Sequence, residues 1–91
     1  MSPNTAVQRT NNHVETVLDG EIALMHIDSG NIYALRDVSA KVWELLESPK
    51  TLAELTARIV NDYEVDSQRC QEDLVLLLND LAKNDLVTLQ P

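Results

Sequence analysis

The sequence predicts an α+β domain in which a three-stranded antiparallel sheet is followed by three helices, in a winged-helix-like order. Both glycines of the chain lie in turn-type sequences between short apolar segments of its first half, which is typical of a meander. After Leu35 the spacing of apolar residues changes from about two to about 3.6, the period of a helix. The 91 residues are enough for one small domain.

Three strands are predicted, at residues 14–18, 21–27 and 32–35. The first two flank Asp19-Gly20, a dipeptide typical of the two-residue hairpin turn because both of its residues adopt positive φ. The second turn, at residues 28–31, contains the other glycine, Gly30. These positions predict that the three strands are consecutive neighbours in one antiparallel sheet.

The first residues of the chain are polar and lack periodicity. We expect residues 1–12 to form a flexible tail that can join the sheet near Val7, and residues 13–91 to form the domain. The tail has no apolar segment of the kind found in a signal peptide. The longest unbroken apolar run, at residues 74–78, is too short to span a membrane.

The first two helices have recognisable boundaries. We expect the first helix to begin near a cap at Asp37 and to stop at Ser48-Pro49, because a residue before proline is disfavoured in a helix. The second helix opens with Thr51 and Glu54 at the spacing of a capping box, in which each side chain bonds the backbone N–H of the other residue.

The third helix is predicted from residue 66 or 67 to about Lys83, whose charge favours the negative end of the helix dipole. Its main apolar stripe contains Cys70, Leu74, Leu77, Leu78 and Leu81. A short closing strand is expected at residues 86–89.

Composition excludes several classes of function. The net charge of −8 repels phosphate backbones, which argues against nucleic acid as a partner. His13, His26 and Cys70 form none of the paired spacings of a metal site or a nucleophilic pair, and we expect an edge position for His26 and a buried thiol for Cys70. No two carboxylates are marked as a catalytic pair. We therefore expect no enzyme activity, no metal and no cofactor, and the single cysteine fits a reducing cytoplasm.

Two surfaces allow two interpretations each. The second strand is apolar on both alternating faces, so either the rest of the chain covers both faces or one of them binds a partner. The third helix has a second stripe at helical spacing, which is either solvated or the wall of a groove that is apolar at its centre. This stripe consists of Arg69, Asp73, Leu76, Asp80 and Lys83.

Short motifs occur in order along most of the chain: LDGEIALM (18–25), SGNIYAL (29–35), VWELL (42–46), TLAEL (51–55), YEVD (63–66), DLVLLLNDL (73–81) and LV (86–87). Over about residues 7–90, their order and spacing resemble the PqqD-like proteins, the RiPP recognition elements that bind leader peptides of ribosomally made, modified peptides.

The resemblance implies that a leader peptide adds as a strand to the edge of the third predicted strand and that its side chains enter a groove beside the third helix. Carried onto this sequence, the strand residues are Asn31, Ile32, Tyr33, Ala34 and Leu35. The helix residues are Arg69, Asp73, Leu76, Leu77, Asp80 and Lys83. The turn at residues 28–30 differs from the turn of quinone-pathway members, which favours a stand-alone lasso-peptide type. The expected partner enzyme is a leader peptidase or a radical SAM enzyme.

The main alternative is a winged-helix DNA-binding regulator. Against it, acidic residues outnumber basic ones by three to two at the exposed positions of the third helix, where a DNA-contacting helix needs an excess of bases. An enzyme subunit with cryptic chemistry ranks last. A homodimer paired through the sheet edge also remains open, because an unpaired edge invites pairing.

Overall fold

The computed structural model describes residues 1–91 and contains six strands and three helices. In chain order these are β1 (Ala6–Arg9), β2 (His13–Leu18), β3 (Glu21–His26), β4 (Ile32–Leu35), α1 (Val38–Leu45), β5 (Lys50–Thr51), α2 (Leu52–Tyr63), α3 (Ser67–Lys83) and β6 (Val87–Gln90). The predicted α+β class, the three helices and the closing strand are confirmed. The more specific winged-helix description is not confirmed.

The predicted meander is present as an antiparallel sheet in the order β2-β3-β4. Asp19 and Gly20 both have positive φ, at 52° and 80°, as the predicted hairpin turn requires. The sheet alternates: Ile22, Leu24 and Leu35 are buried against the helical side, whereas the residues between them are exposed or half-buried. At β3 and β4 the meander therefore has an inner face in the core and an outer face in solvent, whereas β2 has no buried residue.

The N-terminal segment corrects the prediction of a flexible tail over residues 1–12. Ala6–Arg9 is the central strand of a second sheet, in the order β5-β1-β6, and the side chain of Val7 is fully buried. We expected this segment to join the meander near Val7. Val7 instead pairs with Leu89 of β6. This four-residue segment, AVQR, becomes a strand because it lies between two partner strands that come from much later in the chain.

The helix boundaries follow the predictions with one exception. The Thr51–Glu54 capping box is present in full, and the Asp66 carboxylate caps α3 by accepting from the Arg69 N–H. Asp37 precedes α1 as expected, but its side chain makes no capping bond. The reason is its backbone, since φ of 52° is outside the extended region that a capping side chain needs.

The core is aliphatic around one aromatic side chain. Trp43 is fully buried, and it belongs to one core cluster together with leucines from α2, α3 and the meander. Cys70 is buried, as predicted. None of the helices is both long and apolar enough to cross a membrane, and the structure has no group of three His, Cys, Asp or Glu side chains that could hold a metal ion.

We predict that Thr51→Ala lowers the free energy of unfolding by about 1 kcal/mol, because the Glu54 N–H loses its side-chain acceptor. Urea unfolding monitored by circular dichroism measures this. Ser67→Ala is the control, since it also replaces an exposed hydroxyl at a helix start and should change the free energy by less than about 0.5 kcal/mol. Equal effects of the two substitutions would contradict the role of the capping box.

Candidate functional site

The free edge of β4 is the first part of the candidate site. β4 pairs with β3 only, so its other side carries unpaired backbone groups. The His26 N–H donates to the Asn31 carbonyl, which assigns the β3-facing groups to Asn31 and every second residue after it. The N–H and C=O groups of Ile32 and Ala34 therefore point to the open edge.

A groove lies between this edge and α3, and we call it the edge groove. It is lined by Tyr33, Leu76, Leu77, Asn79, Asp80 and Lys83, and its volume is about 470 Å³. The Tyr33 hydroxyl donates a hydrogen bond to the Asp80 carboxylate across the groove. Burial of the ring, together with this bond, raises the pKa of Tyr33 to about 12. The Tyr33 hydroxyl is thus held in place as a donor to this carboxylate.

A second cavity continues along α3, and we call it the apolar pocket. Its volume is about 320 Å³ and its apolar lining consists of Val38, Ile59, Val65, Cys70, Leu74 and Leu77. Ser39, Arg69 and Asp73 complete the lining. Leu77 borders both the apolar pocket and the edge groove, so the two cavities adjoin along one side of α3.

Charged side chains border the cavities at their outer ends. Arg69 and Asp73 form an exposed ion pair with an N–O distance of 3.4 Å, and Lys83 and Asp80 line the edge groove. An exposed pair of this kind adds little stability, about 0.2–1 kcal/mol, so its charges are available to a ligand at small cost. Burial, followed by the charge of Asp73, raises the pKa of Cys70 and keeps its thiol protonated. The arrangement suits binding and offers no activated nucleophile.

The structure places the predicted strand residues in four different environments. Only Tyr33 directs its side chain into the edge groove, whereas Ile32 and Ala34 belong to the outer face and contribute edge backbone. The Leu35 side chain is 1% exposed and therefore belongs to the core. Asn31 is exposed in the turn before β4.

The predicted helix residues all border the two cavities. Leu76, Leu77, Asp80 and Lys83 line the edge groove. Arg69, Asp73 and Leu77 line the apolar pocket. Sequence reasoning missed Asn79, which lies in the same helical turn as Leu76, and it missed the contribution of Val38 and Val65. The apolar character of these two valines at the ends of helices was the available signal.

We predict that the Tyr33–Asp80 contact can be read from the titration of Tyr33. In a Tyr63→Phe background, absorbance at alkaline pH should give a pKa of about 12 rather than the ordinary 10.0. Adding Asp80→Asn should lower the pKa of Tyr33 but leave it above 10.0, because burial is the larger cause. Since the pKa is raised in the folded state, the contribution to stability is full below pH 10 and is lost as the pH rises through about 12. An unchanged pKa in the Asp80→Asn variant would contradict the contact.

Comparisons with known proteins identify a family and two solved structures that are similar to this chain. The model of the family described as "Coenzyme PQQ synthesis protein D (PqqD)" matches residues 21–87. The solved structure described as "TbiB1 in Complex with the TbiA(beta) Leader Peptide" is 30% identical, with a TM-score of 0.81, covering 88% of this chain and 93% of that chain.

A second solved structure, "Lasso peptide synthetase B1 complexed with the leader peptide", has a TM-score of 0.78 over 90% of this chain and 96% of that chain. Its 20% identity supports the fold alone. No curated protein gives a significant match. The family match covers most of the chain, including β3, β4, all three helices and the first residue of β6, and the chain belongs to the PqqD family.

Proposed function

We propose that this chain binds the leader peptide of a ribosomally made precursor, which adds as a fourth strand to the free edge of β4. The observation that carries the proposal is the open edge of β4 directly beside a groove on α3. It is supported by the 30% identical relative TbiB1, whose structure contains a leader peptide.

Main-chain groups supply the general part of the affinity. The outward N–H and C=O groups of Ile32 and Ala34 match the hydrogen-bonding pattern of an added strand. Such bonds form with any sequence that can adopt an extended conformation. They hold the peptide in an extended conformation along β4, but they do not select it.

Side chains supply the selection. Alternate residues of an added strand point to the inner side, where the edge groove offers Leu76 and Leu77 between polar groups at its rim. The apolar pocket beyond Leu77 suits one large apolar side chain of the peptide, because six of its nine lining residues are hydrophobic. The charged pairs at the outer ends favour polar flanks on the bound segment.

The bound leader is presented to a maturation enzyme, and the domain itself performs no chemistry. In this proposal the protein is a stand-alone recognition protein of the lasso-peptide type, and it acts in the cytoplasm. The partner enzyme is a leader peptidase or, in another class of pathway, a radical SAM enzyme. The DNA-binding alternative gains no support, since α3 presents Asp73 and Asp80 beside its two bases and the chain carries a net charge of −8.

We predict that Ala34→Pro weakens leader binding by about 1 kcal/mol, because it removes one outward N–H from the edge of β4. Proline is tolerated on an edge strand, so the meander should fold. Val17→Pro is the matched control: by the same alternation it removes an outward N–H from the opposite edge, on β2. Fluorescence anisotropy with labelled leaders of precursor peptides encoded beside this gene, and with the TbiA(beta) leader, measures the effect. Equal losses in both variants would contradict addition at β4.

We predict that Leu76→Glu weakens leader binding by about 1–3 kcal/mol, because the apolar contact in the edge groove is lost and a charge is placed there. Leu76 is 70% exposed, so the thermal unfolding midpoint should change little. Leu18→Glu is the matched control, since Leu18 is the same residue type with the same 70% exposure, on the far hairpin turn. Unchanged affinity of the Leu76→Glu variant would remove Leu76 from the site, and no saturable binding to any leader would overturn the proposed function.

A further inference from the structure

The outer face of the meander is an exposed apolar surface that the leader groove does not use. Strand pairing places Val14, Met25 and Ile32 side by side in one row, and Thr16, Ala23 and Ala34 in the next. Val14 is 50% exposed, Met25 41% and Ile32 71%, so no element of the chain covers them. A contiguous apolar face of this kind on a small acidic protein indicates a protein interaction site.

The charges around this face differ from those of the rest of the chain. The charged residues on the outer face are Glu21 and Arg36, which form an ion pair with an N–O distance of 3.0 Å. The face is therefore neutral, although the chain has a net charge of −8. Exposed Asp19 and Asp28 lie in the turns at its two ends. A partner that suits this surface is apolar at its centre and carries Lys or Arg at its rim.

The face is too small to hold a permanent partner alone. Three strands about 4.8 Å apart and a few residues long give a patch of roughly 10 by 14 Å. A stable interface buries about 800 Å² on each partner, several times more. A second copy of this chain is further disfavoured, because it would bring the same acidic turns of two strongly acidic chains together.

The leader strand would enlarge the face. A peptide added to the edge of β4 lies about 4.8 Å beyond it, and its alternate side chains point outward, level with Ile32 and Ala34. The enlarged surface consists partly of the domain and partly of the peptide. A protein that docks there contacts both and is bound more tightly when the leader is present.

We propose that the outer face of the meander, enlarged by the bound leader, is the docking surface for the enzyme that processes the precursor. This inference rests on the proposed function. It adds where the enzyme docks and that docking depends on the bound leader. It also gives the chemistry of the enzyme's own surface, which is an apolar patch with a basic rim. The edge groove selects the peptide, and the outer face at β4 presents it to the enzyme.

The test uses Met25→Glu and, as a second variant, Val14→Glu, which place a charge in the apolar row. Val17→Glu is the control, because Val17 is 66% exposed on the same strand as Val14 but pairs with Ile22 and so belongs to the other face. Thermal unfolding checks that each variant folds. Anisotropy with the labelled leader checks that each binds the peptide, with a Kd within about twofold of wild type because neither residue lines the groove.

Binding of the purified peptidase or radical SAM enzyme encoded beside this gene is then measured by calorimetry, with and without leader. We expect the leader to lower the Kd of the enzyme for the wild-type protein by about tenfold or more. In the presence of leader, Met25→Glu and Val14→Glu should each raise this Kd by at least about tenfold, whereas Val17→Glu should leave it unchanged. Added salt should weaken the wild-type complex, because the rim contacts are between charges.

The outcomes separate the two proposals. If Met25→Glu and Val14→Glu bind both the leader and the enzyme as the wild type does, the docking surface is overturned and the leader site is left intact. Enzyme binding that does not depend on the leader would also overturn it. A wild-type dimer seen by sedimentation and abolished by Met25→Glu would assign the face to a second copy instead. Failure of the wild type to bind any leader would overturn the proposed function and this inference with it.

Discussion

The structure depends on the contacts of one buried side chain, Trp43. The Arg9 guanidinium of β1 lies over its ring, 4.3 Å from the centroid, and donates to its backbone carbonyl. From β2, the Glu15 carboxylate accepts a hydrogen bond from the indole Nε1, and the His13 ring packs edge-on at 5.1 Å. Trp43 lies on α1, so a single residue joins both sheets to the helices. A cation–π contact is worth about 0.5–1 kcal/mol at an exposed site and about 2 kcal/mol when it is desolvated, and Arg9 is half-buried. A hydrogen bond to a charged group adds about 1.5–3 kcal/mol.

This attachment determines where the candidate site lies. The meander has no strand partner on either edge. Its position relative to the helices is set by the packing of its inner face and by the contacts of Glu15 and His13 with Trp43. With that face held, β4 runs beside α3, and Tyr33 reaches Asp80. Exposed edges are usually blocked by charges, prolines or bulges because they invite pairing with other chains. The edge of β4 carries Ile32 and Ala34 and is left unblocked, which is the condition that a strand-adding ligand needs.

Much of the fold was predictable because its signals are local. The Asp19-Gly20 turn, the Thr51–Glu54 capping box and the apolar stripe of α3 each depend on residues a few positions apart. The strand at Ala6–Arg9 was not predictable, since it is stabilised by partners near the other end of the chain. The site divides in the same way: spacing placed Leu76 and Asp80 on one stripe, but only the tertiary arrangement brings Val38 and Val65 to the pocket beside them.

The alternation of β4 explains how the proposed leader site can do more than hold a peptide. Its backbone offers one edge, Tyr33 points into the groove, and Ile32 and Ala34 point to the opposite side. Because the period of a strand is two, the proposed selection and the proposed display of the peptide fall on opposite faces and do not compete for the same side chains. A peptide strand that joins the sheet adopts the same alternation. In the proposed complex it therefore gives one set of its side chains to the groove and leaves the other set accessible to the enzyme.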